Sequence, residues 1–135
     1  FFWMMAVVVV TDVGAYFAGR SIGGPKLAPR ISPAKTWSGL LGGVLFAALA
    51  GAVTVAVRDG DNFVQVMAIA GILAVVAQIG DLVESGVKRH VGVKDSGNLI
   101  PGHGGVLDRM DGFLTVAPVT ALMTWIAGGS PLEWQ

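Results

Sequence analysis

Four long apolar stretches account for most of this 135-residue chain. They run over residues 1–19, 40–57, 63–80 and 113–128, and Asp12 is the only charged residue within them. A helix needs about 20 mostly apolar residues to cross the hydrocarbon core of a bilayer. The pattern therefore predicts an all-α polytopic membrane protein with about four transmembrane helices, of which the last is short.

The composition supports a lipid environment rather than a soluble one. Only 13% of the residues are charged and the mean hydropathy is +0.69, whereas soluble domains are about 25% charged. A chain of this size cannot bury four helices that are apolar all round in a soluble core. The zero net charge argues against a nucleic-acid partner, and the absence of cysteine excludes thiolate metal sites and cysteine nucleophiles.

The polar connections between the stretches predict the orientation of the chain. Residues 20–39 contain Arg20, Lys26, Arg30 and Lys35 without any acid, and residues 81–112 carry four further cations. Four alternating spans place these two segments on the same side, which the excess of Lys and Arg makes cytoplasmic. The short turn 58–62 then faces the opposite side.

Small residues recur along the second stretch. In a bilayer, helices associate through close approach of their backbones, which small side chains allow. We therefore interpret this series as a helix-packing face without a catalytic role. Its members are Gly39, Gly42, Gly43, Ala47, Ala48, Gly51 and Ala52.

The segment 81–112 concentrates the charge of the chain, with nine of its eighteen Lys, Arg, Asp and Glu residues and both histidines. Asp108 and Asp111 are three residues apart, a spacing that places both carboxylates on one face of a helix. Asp81 follows the third apolar stretch and could meet them from a second helix end. Converging carboxylates require a cation, and oxygen ligands suit Mg²⁺. Two such ions would form a clamp for displacement at phosphorus.

The same segment contains groups that suit a phosphate substrate. The glycine-rich run 101–105 can turn its backbone N–H groups towards an anion, and His103 could donate a hydrogen bond or relay a proton. Four cations could hold phosphates, namely Lys88, Arg89, Lys94 and Arg109. Each feature alone also has an ordinary explanation, such as a solvated helix end, a turn or a topology signal, and Glu84 could equally form a local ion pair.

Together these residues form a recognisable pattern. The run is Ser85-x-x-Lys88-Arg89-x₄-Lys94-Asp95-x-Gly97-x-x-Ile100-Pro101-x-His103-Gly104-Gly105-x-x-Asp108-Arg109-x-Asp111. It closely resembles the signature of the phosphatidate cytidylyltransferases, also called CDP-diacylglycerol synthases.

An earlier segment resembles the stretch that precedes this signature in the family. It reads Asp12-x-x-Ala15-Tyr16-x-x-Gly19-Arg20, then Leu27-x-Pro29-x-Ile31-Ser32-Pro33-x-Lys35-Thr36. One position departs from the family, because Ser38 stands where a glutamate is common.

The resemblance implies transfer of a cytidylyl group from CTP to phosphatidate, in the inner membrane of a bacterium, with the active site facing the cytoplasm. It implies Mg²⁺, as one or two ions, held by Asp81, Asp108 and Asp111. These three, with Lys94, Asp95 and His103, are the expected catalytic residues. The expected substrate-binding residues are Ser32, Lys35, Thr36, Ser85, Lys88, Arg89, Gly104, Gly105 and Arg109.

The resemblance also bears on the extent and the partners of the chain. Family members are roughly twice as long, so we expect residues 1–135 to be a single transmembrane catalytic region from the C-terminal part of a longer chain. CTP, phosphatidate and the lipid bilayer are the expected partners, and a second copy in a homodimer is a further candidate.

Three questions stay open at this stage. Asp12 within an apolar span indicates either a functional carboxylate or a structural pair with Arg20 or a neighbour. A related CTP-dependent membrane transferase or kinase with another acceptor is an alternative enzyme. An ion-coupled transporter is an alternative of a different class, although transport sites lie near the bilayer midplane.

Overall fold

The computed structural model describes residues 2–58, 60–91 and 111–129. Four helices and one small β-hairpin form the described part of the chain. In order these are α1 (Phe2–Ser21), β1 (Lys26–Ala28), β2 (Ser32–Thr36), α2 (Trp37–Val57), α3 (Phe63–Val91) and α4 (Asp111–Ala127). The predicted all-α class is confirmed.

Three of the helices are long and apolar enough to cross a membrane, namely α1, α2 and α3. Their outward faces carry large exposed apolar side chains, among them Leu41, Leu45 and Val53 of α2, as expected of surfaces that contact lipid tails. Helix α4 has 17 residues and is therefore only about 26 Å long, at 1.5 Å per residue. The chain is an integral membrane protein in which the fourth apolar helix is the shortest, as the sequence predicted.

Helix α3 lies at the centre of the bundle and packs against the other three helices. Its residues Val66, Ala70, Leu73 and Ala74 are fully buried. The last three contribute to a core that also contains Val7 of α1, Ala47 of α2 and Val116 of α4. This central position fixes the polar C-terminal turns of α3 relative to α1 and α2.

Close backbone contact joins α1 to α2. Gly39, Gly43, Ala47 and Gly51 are buried and recur every four residues along α2, which confirms the predicted packing face. A Cβ atom on Gly39 would lie 3.0 Å from the carbonyl oxygen of Ala15 in α1. The two helices can therefore approach this closely only because the side chain is absent.

The connection between α1 and α2 contains a β-hairpin that the sequence analysis did not predict. Lys26 pairs with Thr36 and Ala28 with Ser32 in antiparallel register. Gly23 and Gly24 have positive φ angles of 65° and 102°, conformations that side chains disfavour, and they turn the chain out of α1. The prolines in the segment argued against strands, because proline is rare in strands except at edges.

Helix α3 continues beyond the apolar stretch that the sequence indicated. It runs to Val91, so residues 81–91 extend it by about 16 Å. Asp81 accordingly lies inside a helix rather than at a helix end, one turn from Ser85. The prediction that Asp81 lies at a helix end was wrong, because a run of apolar residues marks the membrane crossing and not the end of the helix.

Candidate functional site

A cavity of about 440 Å³ lies below the hairpin, between α1, β2, α2 and α3. It reaches from the membrane-surface end of the bundle towards its interior. Its polar lining is unusual for so apolar a chain. The polar residues that line it are Asp12, Tyr16 and Arg20 of α1, Lys35 and Thr36 of β2, and Gln78 and Asp81 of α3.

An ion pair crosses the cavity between the hairpin and α3. The Nζ atom of Lys35 contacts Oδ2 of Asp81. The side chains are 22% and 41% exposed respectively, so both remain accessible from the cavity. The two residues are 46 positions apart in sequence, and the fold brings together two residues that the sequence analysis assigned to binding and catalysis.

Asp12 faces the same cavity from α1. It makes no ion pair with any residue in the described ranges. Arg20, its proposed structural partner, instead donates from Nη1 to the Tyr16 hydroxyl at 3.2 Å and lies over the Tyr16 ring. The structure therefore does not support the Asp12–Arg20 pair and leaves the Asp12 carboxylate directed at the cavity shared with Lys35 and Asp81.

Thr36 fixes the start of α2 at the edge of the cavity. Its side-chain oxygen accepts a hydrogen bond from the backbone N–H of Gly39 at 3.1 Å, the standard arrangement for a helix N-cap. Ser38 donates from its hydroxyl to the carbonyl of Gly23. The residue that departs from the family pattern therefore ties α2 to the turn after α1.

Gln78 closes the inner end of the cavity. It is 7% exposed, and its Nε2 atom donates to the carbonyl oxygen of Leu40 in α2 at 3.2 Å. Gln78 lies three residues before Asp81, so both side chains share one face of α3. This bond holds α3 against α2 directly below the Lys35–Asp81 pair.

The remaining predicted residues of α3 and β2 lie away from the cavity lining. Lys88 pairs with Glu84 one turn earlier on α3, so the local ion pair anticipated for Glu84 is present. Ser85 is partly buried and Arg89 is exposed on the extension of α3. Ser32 begins β2, at the far end of the hairpin from Lys35.

Most of the signature lies outside the described residues. This applies to Lys94, Asp95, His103, Gly104, Gly105, Asp108 and Arg109. Asp111 begins α4, although its side chain also lies outside the description. The Asp81, Asp108 and Asp111 triad thus remains a prediction, and no group of three His, Asp or Glu side chains that could hold a metal occurs within residues 2–58, 60–91 and 114–126.

The described part of the site nevertheless suits a hard cation. Asp81 presents a partly exposed carboxylate to the cavity, and carboxylate oxygens are preferred ligands of Mg²⁺. In this structure Lys35 forms an ion pair with that carboxylate. A cation bound there would have to displace the ammonium group, which would then be available for a phosphate.

The sequence analysis missed Tyr16, Arg20 and Gln78 as parts of the site. A signal was present for all three. Asp12, Tyr16 and Arg20 are spaced by four residues, which places them on one face of α1. Gln78 is a polar residue in an apolar span, and it precedes Asp81 by one turn.

Comparison with known proteins identifies the family of the chain. The sequence profile of the cytidylyltransferase family matches residues 1–127. The chain is similar to proteins from several bacteria that are named phosphatidate cytidylyltransferase. The one from Brucella suis is 55% identical over 123 residues, which cover 89% of this chain and 44% of that protein.

Two further relatives with the same name are less similar in sequence. The Bacillus subtilis protein is 48% identical over 118 residues, covering 87% of this chain and 44% of its own length. The Pseudomonas aeruginosa protein is 46% identical over 131 residues, covering 95% and 48%. The chain thus spans about half the length of the curated relatives it matches. By the match along nearly all of its length, the chain belongs to the cytidylyltransferase family.

Proposed function

We propose that the protein transfers the cytidylyl group of CTP to phosphatidate, releasing pyrophosphate and forming CDP-diacylglycerol. The observation that carries this proposal is the Lys35–Asp81 pair in a 440 Å³ cavity at the membrane-surface end of the bundle. The family match and the names of the relatives support the same reaction. The cavity is large enough to admit phosphate groups.

The chemistry needs no covalent intermediate on the protein. An oxygen of the phosphatidate phosphate forms a bond to the α-phosphorus of CTP, and the bond from that phosphorus to the bridging oxygen of pyrophosphate breaks. Catalysis of such a step depends on positioning and on charge stabilisation. The absence of cysteine from the sequence is consistent with this direct displacement.

Lys35 and Asp81 have complementary roles in this proposal. In the ligand-free site each neutralises the other, which stabilises two charges at the edge of the bilayer. When substrate enters, the Lys35 ammonium moves from Asp81 to a phosphate oxygen of CTP or phosphatidate. Hydrogen bonds between a cation and a phosphate are among the stronger ones in proteins, so the exchange keeps Lys35 paired throughout.

Asp81, Asp108 and Asp111 are proposed to hold Mg²⁺. When bound, this ion neutralises phosphate charge and stabilises the leaving pyrophosphate. Its support here is the accessible Asp81 carboxylate and the oxygen-only character of the three side chains. We expect Asp108→Asn to abolish cytidylyl transfer in a protein that remains folded and membrane-inserted.

The other signature residues complete the proposed site. Lys88, Arg89, Lys94 and Arg109 would hold phosphates, and the N–H groups of Gly104 and Gly105 would surround an anion. His103 would donate to a phosphate oxygen, while Lys94-Asp95 and Ser85 would contact substrate. We propose that the protein lies in the inner membrane of a bacterium with this end of the bundle facing the cytoplasm. The excess of Lys and Arg in the two polar segments supports that orientation.

The position of the radiolabel in CTP tests the proposed reaction against its nearest alternative. A cytidylyltransferase moves the α-phosphorus into the lipid, whereas a CTP-dependent lipid kinase moves the γ-phosphorus. The full-length protein is supplied with phosphatidate, Mg²⁺ and CTP labelled at one position or the other. We expect a labelled lipid only from α-labelled CTP, with pyrophosphate as the second product. A labelled lipid from γ-labelled CTP alone would contradict the proposal.

A further inference from the structure

Residues 20–37, named here the basic hairpin, carry an unbalanced positive charge. They contain Arg20, Lys26, Arg30 and Lys35 and no acid. Lys35 pairs with Asp81 and Arg20 binds Tyr16. Lys26 and Arg30 are exposed and form no ion pair with the residues that the structure describes. Two cations of the basic hairpin are thus available to an external anion.

Exposed apolar side chains accompany these cations. Ile22 is 76% exposed, Ile31 37% and Trp37 51%. A pocket of about 310 Å³ at the tip is lined by Ala28, Pro29, Arg30 and Ile31, so Arg30 borders an apolar hollow. Apolar and cationic side chains side by side are typical of segments that lie in the membrane interface.

The position of the basic hairpin brings this surface to the lipid headgroups. It runs from the last turn of α1 to the first residue of α2, and both helices are long enough to span a membrane. Ile31 lies beside Gly86 on the extension of α3. A Cβ atom added to Gly86 would be 3.7 Å from Cγ2 of Ile31. The contact holds the tip beside α3 while Lys26 and Arg30 remain exposed.

We propose that the basic hairpin binds the anionic phospholipid headgroups of the adjoining leaflet through Lys26 and Arg30, next to the cavity entrance. Apolar residues around the cations favour a lipid over a free nucleotide, because a nucleotide phosphate would gain nothing from Ile22 or Ile31. Cations close to an anionic membrane surface attract it individually. If the proposed function holds, this surface concentrates phosphatidate beside Lys35.

Binding of a lipid that is not the proposed substrate tests this surface separately from the reaction. The full-length protein in nonionic detergent micelles is titrated with dioleoyl phosphatidylglycerol and, in parallel, with dioleoyl phosphatidylcholine. The test variant is Lys26→Gln/Arg30→Gln. The matched control is Arg58→Gln, since Arg58 is an exposed cation at the opposite end of α2.

We expect the unmodified protein and Arg58→Gln to bind phosphatidylglycerol more tightly than phosphatidylcholine. In the double variant the ratio of the two affinities should fall at least ~5-fold, which is about the contribution of one surface cation. The preference of the unmodified protein should also disappear in 1 M salt, as screening requires. An undiminished preference in a folded double variant, or an equal loss in Arg58→Gln, overturns the proposal.

Kinetics then separate this inference from the proposed function. The double variant should raise the KM for phosphatidate in mixed micelles and leave the KM for CTP unchanged. A higher KM for CTP alone would assign the basic hairpin to the nucleotide and overturn the lipid surface. Absence of any cytidylyl transfer by the unmodified protein, together with the expected lipid binding, would contradict the proposed function and leave this surface in place.

Discussion

Substitution of one glycine at the α1–α2 contact should separate the two helices that border the cavity. A Cβ atom on Gly14 would lie 2.6 Å from Cβ and 2.7 Å from Cγ of Phe46, and 3.1 Å from the carbonyl oxygen of Gly42. Ordinary carbon–carbon contacts are about 3.5–4.0 Å, so Gly14→Ala requires a movement of about 1 Å. Rotation of the Phe46 side chain cannot relieve the contact with its Cβ atom, because the backbone fixes the position of Cβ.

Gly71 of α3 provides the matched control. A Cβ atom there would lie 3.6 Å from Cγ1 of Val44, which is ordinary van der Waals contact. Both glycines are inside helices, so both alanine variants gain the same helix propensity of about 1 kcal/mol. The difference between them therefore isolates overpacking, which costs about 1–3 kcal/mol.

Unfolding of both variants in mixed micelles measures this difference directly. We expect Gly14→Ala to be less stable than Gly71→Ala by about 1–3 kcal/mol, about 5- to 150-fold in the unfolding equilibrium constant. CTP turnover by Gly14→Ala should also fall, because Asp12 and Tyr16 of α1 line the cavity. Equal stability of the two variants would refute the close α1–α2 packing.

Three further substitutions test single contacts of the site. Thr36→Val removes the cap on the N–H of Gly39 and should cost about 1 kcal/mol of unfolding free energy. Gln78→Leu removes the bond to Leu40 and should cost only about 0.6 kcal/mol, as interhelical bonds in membranes do; a loss above 2 kcal/mol would contradict this. Asp12→Asn should lower CTP turnover at least ~10-fold without lowering thermal stability, whereas a loss of stability with normal turnover would indicate a structural carboxylate.

Hydropathy was sufficient to predict the membrane-spanning helices, because the bilayer imposes a minimum length of apolar residues. The helix-packing face of α2 was equally predictable, since Gly39, Gly43 and Ala47 recur with the period of a helix. Neither prediction required knowledge of the neighbours. Local pattern alone determines both features.

Features that depend on long-range contacts were not predictable in this way. The strands of the basic hairpin lie in a proline-containing segment, and proline argues against strands. The position of the hairpin depends on the turn at Gly23 and Gly24. The Lys35–Asp81 pair joins residues that are 46 positions apart. The sequence predicted both as site residues but could not predict that they contact each other. Arg20 binds Tyr16, which is four residues earlier on α1. Asp12 is eight residues before Arg20 and therefore about 12 Å away along the helix, so the spacing itself argued against an Asp12–Arg20 pair.

Replacement of Asp81 tests whether the cavity containing the Lys35–Asp81 pair is the site of cytidylyl transfer. Transfer of α-labelled CTP to phosphatidate is measured for the full-length protein and for Asp81→Asn, with Asp61→Asn as the control. Asp61 is an exposed acid in the turn at the opposite end of the bundle.

We expect Asp81→Asn to lower kcat by about 100-fold or more, as loss of a charge-stabilising group in an active site does, while Asp61→Asn remains near the unmodified rate. Both variants should insert into membranes equally well. Near-normal transfer by Asp81→Asn would show that this cavity is not the site of the reaction.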